Sequence, residues 1–428
     1  MLNINRKLEE LEAEGKSIKL ALIGAGQMGN GMVSQISLMK GMDCKMIVDI
    51  NTESAKKAFL DAKIENISYC ESLEQCNESL KNGKFVYTND FMNACKAEDI
   101  DVVVDATGSI TIGAEIALNS ILNKKHIVML NAETDCVVGP ILNKLAKDSG
   151  VVFTGSAGDE PGAVMELYDF ATAMGMDVKV IGKGKNNPLD LECNPDTVRE
   201  DALSRGANPH MIASFKEGTK TMVEMALMCN ATGFKPDIRG AHGIDSDIKE
   251  ITKKLSLKSE GGVLNNYGTV EYVNGIAPGV FVIFSSELKS VNDELKYLSM
   301  GDGPNYVLYR PYHLTSLETP LSVARAVIYN EPTIVAKEGL VAEVITVAKK
   351  DMKKGEMMDG YGGFTCYGTI EEYEKAKEMK AVPIGLIDKN TKLLKDVKKG
   401  EIITYDMVEI DTSTTLYHLR KLQEKIFG

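Results

Sequence analysis

The 428-residue chain has no Cys-x-x-Cys pair among its eight cysteines, no His, Cys and Asp/Glu grouped at ligand spacing, and no apolar segment long enough to span a bilayer. These absences exclude a paired-cysteine motif, a zinc site and a membrane helix. Several cysteines (44, 70, 76, 95, 136, 193, 229 and 366) sit in apolar runs and read as buried or incidental thiols in a reducing compartment. Positive charge is also short. Lys and Arg total 49 against 61 Asp and Glu, a net charge of -12, which leaves no basic face for nucleic acid. An anionic small molecule stays open, because a few lysines make a local positive pocket in an acidic protein. Residues 3–15 are charged, with Leu8 and Leu11 as a thin apolar stripe, and predict a short surface helix rather than a secretory leader. The expected compartment is the cytoplasm.

What is present is an ordinary soluble balance, 44% hydrophobic and 26% charged, over a length that predicts two or three domains. The strongest local signal is the run Lys19 to Gly29, where an apolar strand leads into Gly24-Ala25-Gly26-Gln27-Met28-Gly29. Gly24 suits a tight turn, Gly26 close approach to a pyrophosphate, and Gly29 close packing of helix on strand. A helix opens at Gly29, with Met32, Val33, Ile36 and Met39 at helical spacing. A second strand ends at Asp49, placed to meet a ribose hydroxyl. Strand, glycines, helix and acid in this order predict a dinucleotide site, with Gln27 and Met28 in its loop.

Residues 1–155 alternate strand and helix as an α/β, doubly wound parallel sheet of Rossmann type, with a helix at about 317–328 returning to it. In that pattern Asn131 to Asp135 follows a strand and Pro140 opens a helix. Thr107, Gly108, Asn131 and Glu133 follow strand ends, so they are expected to line the cofactor crevice. Residues 156–330 read as an α+β substrate domain, and 331–428 as a small β-rich unit. That last unit contains an echo, Asp351-Met352-Lys353-Lys354-Gly355-Glu356 and Asp396-Val397-Lys398-Lys399-Gly400-Glu401.

Three clusters in the middle domain are chemical candidates. Asp159 and Glu160, adjacent in a glycine-rich loop, suit acid/base work or a shared divalent cation; helix capping explains them equally well. Lys183, Lys185, Asn186 and Asn187 form a basic strand-end loop suited to an oxyanion or phosphate, or equally a solvated turn. Ser214 and Glu217 read as a capping box for a helix running to about Asn230, on which Lys216, Lys220 and Glu224 lie four apart. A helix that tolerates Gly218 and like charges at that spacing reads as facing something anionic, or else as an exposed basic stripe beside the core face of Met222, Val223, Met225 and Ala226. His242 and His313 are lone loop histidines, more often structural, though either could reach a substrate.

The Gly24 to Gly29 motif, Asn131 to Asp135, the Gly155 to Gly162 loop and the Lys220 helix resemble homoserine dehydrogenase-like oxidoreductases. The resemblance is closer to the 1-deoxy-D-xylulose 5-phosphate reductoisomerase-like subgroup, and the tail looks like a SAF domain. It implies NAD(P), with NADPH slightly favoured, and rearrangement and reduction of a phosphorylated keto sugar by a homo-oligomeric enzyme. It also implies a carboxylate-held cation or lysines, for which Asp159, Glu160, Lys185, Lys216, Lys220 and Glu224 are candidates. Two departures stand out: the carboxylates are adjacent where ordinary reductoisomerases have Asp-Ser-Glu, and Asp49 leans towards NAD. Asn51, Ser54 or Lys56 would have to accommodate a 2'-phosphate. The alternatives are simple hydride transfer on another hydroxy-acid or hydroxy-aldehyde, and a non-catalytic nucleotide sensor.

Overall fold

The computed structural model describes residues 3–204 and 206–428. Contacts divide the chain into two compact units. The first contains residues up to Gly162 with Leu314–Val335 and His418–Ile426; the second contains Ala163–His313 and Ala336–Tyr417 with the last two residues.

In the first unit, α1 (Ile4–Ala13) precedes β1 (Ile18–Ile23), α2 (Gln27–Ile36), β2 (Met42–Val48), α3 (Thr52–Asp61), β3 (Ile67–Tyr69) and α4 (Leu73–Lys81). There follow β4 (Phe85–Thr88), α5 (Phe91–Lys96), β5 (Val102–Asp105), α6 (Ile110–Leu122), β6 (His126–Met129), α7 (Ala132–Ser149) and β7 (Phe153–Gly155). The seven strands are all parallel, in the order β3-β4-β2-β1-β5-β6-β7. This is the doubly wound sheet, and strand order reverses between β1 and β5. The centres of these strands are near-continuous Val, Ile and Leu because both faces are covered. Leu20, Leu22, Ile47, Val102, Val104 and Val128 pack there with Met32, Val33 and Phe59. Val323 and Ala324, from the returning segment α14 (Thr319–Ala324) that follows the second unit's elements, join the same core.

Two local expectations are corrected here. Helix α2 starts at Gln27, not Gly29, since Gly26 already occupies the capping position. Helix α7 starts at Ala132, capped by Asn131, so Pro140 lies inside it instead of opening it. Proline in a helix interior removes one N–H and crowds the preceding turn. The fully buried Gln423 amide attends that turn, accepting from Ile141 N at 3.1 Å and donating to Val137 O at 2.9 Å. Arg420 Nη1 donates to the same carbonyl at 3.3 Å. The last helix (Thr415–Phe427) thus supplies polar groups that a proline-broken helix needs.

The second unit holds most of α8 (Glu160–Ala173), then β8 (Asp177–Lys185), α9 (Arg199–Ser204), α10 (Pro209–Lys216), α11 (Thr219–Thr232), β9 (Ile244–Asp245) and α12 (Ile251–Lys254). After them come β10 (Thr269–Asn274), β11 (Val280–Ser285), α13 (Lys289–Tyr297) and β12 (Asn305–Arg310). Its mixed sheet has the order β12-β11-β8-β10-β9. β10 and β11 are therefore not a hairpin: β8 lies between them, parallel to one and antiparallel to the other.

The tail forms no separate third unit. Its strands β13 (Ala342–Ala348) and β14 (Cys366–Glu372) pair antiparallel within the second unit, and α11 packs on both. The sequence echo is a local two-fold. Asp351 accepts from Lys398 Nζ at 2.8 Å and Lys399 N at 2.9 Å, while Asp396 accepts from Lys353 Nζ at 2.8 Å and Lys354 N at 2.9 Å. Between them Met352 and Val397 exchange both main-chain bonds at 3.0 Å. Gly355 and Gly400 hold φ of 92° and 81°, which side-chain-bearing residues rarely adopt.

Gln423→Leu takes the side-chain acceptor from the buried Ile141 N–H and leaves Val137 O with Arg420 alone, at about 1–3 kcal/mol for a buried unsatisfied group. Chemical denaturation should show that loss, and a variant as stable as the parent would mean that α7 does not rely on the Gln423 amide.

Candidate active site

In the first unit the loops after β1 and β5 meet at the switch point, where doubly wound folds bind ligands. Gly24 has φ of 103°, and a Cβ there would sit 2.6 Å from Ala106 O, so only glycine permits this approach. A Cβ on Gly29 would collide with the Gly24 carbonyl, which is the helix–turn packing that its spacing implies. Around Gly26 there is nothing within 4 Å of a Cβ. Helices α3 to α7 are each capped by a side chain, from Asn51, Ser72, Asp90, Ser109 and Asn131. α2 begins on Gly26 without one, so its first N–H groups, at Gln27 and Met28, suit an anion.

Asp49 directly follows β2. Its Oδ2 accepts from Ala25 N at 2.7 Å and its Oδ1 from Asn51 N at 2.8 Å. Asn51 is committed to capping α3 through Glu53 N. Buried Asp105 closes β5, and burial pushes its carboxyl up despite hydrogen bonds from Thr107 N, Thr107 Oγ1 and Asn131 Nδ2. The side chains of Thr107 and Asn131 therefore hold the strand ends together. Exposed Gly108 has φ of 66°, and half-buried Glu133 lies in the first turn of α7. Asp159 and Glu160 end the first unit's polar loop and offer carboxylate oxygens within 4.8 Å of one another. Glu160 is the first residue of α8, an ordinary place for an acid.

In the second unit a strand and a helix bring four charged groups together. Lys183 and Lys185 are two apart on β8 and so share a face. Lys183 forms a buried ion pair with Glu224 of α11, and Lys220 Nζ lies 4.0 Å from the other Glu224 oxygen, one turn away. Lys185 Nζ donates to Asn187 O at 2.5 Å and Phe215 O at 3.2 Å, spending two of its three donors on main-chain carbonyls. Burial first, then the Lys183 charge, lowers the Lys185 ammonium to about 8, against the pull of Glu224. Such a group exchanges its proton near neutral pH.

The expected continuous helix from Ser214 to Asn230 is corrected. Ser214 lies inside α10, the chain breaks at Glu217 and Gly218 (φ 93°), and α11 starts at Thr219. The capping box does not form, because Glu217 turns inward to form a buried ion pair with Lys349. Lys216 ends α10 and pairs with Asp201 at 3.5 Å, so it does not share a helix face with Lys220. Asn186 is exposed and Asn187 enters through its carbonyl. His242 Nε2 lies 2.8 Å from Asp237 Oδ2, and His313 Nδ1 2.8 Å from Pro278 O. Glu271 of β10 was not anticipated. It is fully buried, accepts from His242 N at 3.1 Å, and is pushed up to about 7 by burial. Its only sequence signal is an acid inside an apolar strand.

Residues 158–319 match the family model described as "Oxidoreductase DRL, catalytic domain". The stretch that is similar to that catalytic domain carries Asp159, Glu160, Lys183, Lys185, Lys220 and Glu224. The match names neither homoserine dehydrogenase nor a reductoisomerase, and it stops before the tail, for which no SAF domain is found. Among solved structures, scyllo-inositol dehydrogenase from Lactobacillus casei with bound NAD(H) and scyllo-inositol is 12% identical over 76% of this chain and 93% of that one, TM-score 0.42. A probable dehydrogenase from Thermotoga maritima is 14% identical over 75% and 92%, TM-score 0.39. The search of curated proteins found no match. Among the described residues, no helix is long and apolar enough to cross a membrane.

Sulfate, whose charge is constant above neutrality, tests the lysine cluster. Lys185 is cationic below about 8 and discharges above it, so sulfate affinity measured by calorimetry should fall between pH 7 and 9. A lost charge-assisted bond predicts a change on the order of tenfold. Equal affinity at both ends of that range would place Lys185 away from the anion.

Proposed function

We propose that this oxidoreductase is nicotinamide-dependent and acts on a small phosphorylated keto sugar, rearranging and reducing it in the reductoisomerase-like manner. The observation that carries this reading is the gathering of Lys183, Lys185 and Lys220 around buried Glu224, within the segment similar to an oxidoreductase catalytic domain. Three ammonium groups so placed suit a phosphate together with the reacting oxygens. Lys220 is the natural donor to the reacting oxygen: its side chain is 16% exposed, against 6% for Lys183. Glu224 holds both ammoniums in place, so Lys220 stabilises charge that develops on that oxygen. Asp159 and Glu160 are the candidates for holding a divalent cation.

The open space at Gly26, the uncapped start of α2 and the acid after β2 fit a nicotinamide dinucleotide. Gly24, Gly26, Gln27, Met28, Gly29, Asp49, Thr107, Gly108, Asn131 and Glu133 would surround it, and when bound it supplies the hydride. Asp49 favours NAD over NADP, since a carboxylate accepts ribose hydroxyls and repels a 2'-phosphate. Asn51 is already occupied as a cap.

Asp49→Ala should move the ratio of NAD to NADP affinity towards NADP; an unchanged ratio in a fluorescence titration would show that Asp49 serves only the glycine loop. Lys220→Met keeps most of the stem and removes the ammonium. It should lower turnover on the order of 100-fold or more with dinucleotide affinity nearly unchanged. Near-normal turnover on phosphorylated keto sugars would remove Lys220 from the chemistry.

A further inference from the structure

We propose that Glu217 and Lys349 are positioning residues, through which the C-terminal segment sets the geometry of the lysine cluster. The importance of that cluster rests on the function proposed above. The two side chains form an ion pair with 0% and 4% exposure, far from any solvated surface role. Glu217 Oε1 accepts from Thr219 Oγ1 at 2.6 Å and from Gly362 N at 2.8 Å. Lys349 Nζ also donates to Cys193 O at 2.6 Å and Gly363 O at 2.7 Å. Thr219 Oγ1 accepts in turn from Gly368 N at 2.8 Å. Three tail positions therefore hold the two-residue break between α10 and α11.

That break decides two things at the cluster. It ends α10 so that the Phe215 carbonyl is available to Lys185, and it starts α11 so that Lys220 and Glu224 stand in its first and second turns. A continuous helix would engage the Phe215 carbonyl with the N–H of Thr219. Glu217 opposes that outcome by bonding the Thr219 hydroxyl and the tail at once. Gly218 makes the turn possible with φ of 93°, but only the buried pair explains why it is taken. Lys183, Glu224 and Cys193 are the titrating groups that act on Lys185, and the tail contributes none of them. Its influence on Lys185 is therefore through the backbone.

The test uses the full chain with carbon-13-labelled lysine, following the Lys185 titration by NMR with Lys185→Arg for assignment. Lys349→Met leaves Glu217 as a lone buried charge and risks misfolding, so Glu217→Gln/Lys349→Met, which removes both charges, accompanies it. In the folded double variant the Lys185 midpoint should rise from near 8 towards the ordinary lysine value, because burial is the largest cause of its lowering and loosened packing lets water reach the ammonium, which outweighs the lost Phe215 carbonyl. kcat should fall about tenfold or more, with dinucleotide affinity unchanged, and Lys349→Arg should restore part of it. A double variant with lower melting temperature but the parent's Lys185 midpoint would overturn the proposal, leaving the pair a purely structural one. The NMR midpoint needs no substrate. A midpoint that shifts in a protein inactive on every keto sugar would count against the proposed function and for the positioning role.

Discussion

Taking ammonium groups out of water is the constraint on which the second unit depends. Lys183, Lys185 and Lys349 are almost fully buried, and each would carry a desolvation cost of several kcal/mol if left alone. The unit answers with two buried glutamates and a set of main-chain carbonyls. Glu224 serves Lys183 and Lys220; Glu217 serves Lys349; the carbonyls of Asn187 and Phe215 serve Lys185. Only Lys185 has no tight carboxylate, and its lowered proton affinity follows directly. A buried pair is weak evidence for stability, since apolar packing often does as well. Charges kept at this cost, in a segment similar to an oxidoreductase catalytic domain, fit a binding or chemical role.

The first unit solves a different problem, the unpaired N–H groups at helix starts. Five successive helices close theirs with Asn, Ser or Asp side chains. α2 does not, and the glycines that replace a cap also clear the space before it. Asp49 contributes twice, accepting from the glycine loop at Ala25 and from its own turn at Asn51. A carboxylate with both oxygens so fixed is preorganised and keeps lone pairs for hydroxyl donors.

The N-terminal parallel-sheet unit was legible because its signals are local. Apolar runs of strand length, Gly24, Gly26, Gly29 and Asp49 each act within a few residues, and the parallel sheet follows from their alternation. Locally read caps did less well. Ser214 and Glu217 have capping-box spacing, yet Glu217 is drawn inward by Lys349, 132 positions away in the sequence. Pro140 looks like a helix start, yet α7 continues through it where Gln423 and Arg420 supply polar partners.

By itself, the sequence determined the order of strands and helices, the glycine turn with its acid, and the residue types available for an anionic ligand. The local physics of periodicity, φ preference and N–H satisfaction is written within short windows, so it can be read there. Tertiary structure decided which charges meet. The Lys183–Glu224 and Glu217–Lys349 pairs join positions with no sequence relation, and the interleaving of β8 between β10 and β11 leaves no trace in either strand. Electrostatic pairing in a buried setting depends on distance in space and on the exclusion of water, and a linear sequence specifies neither.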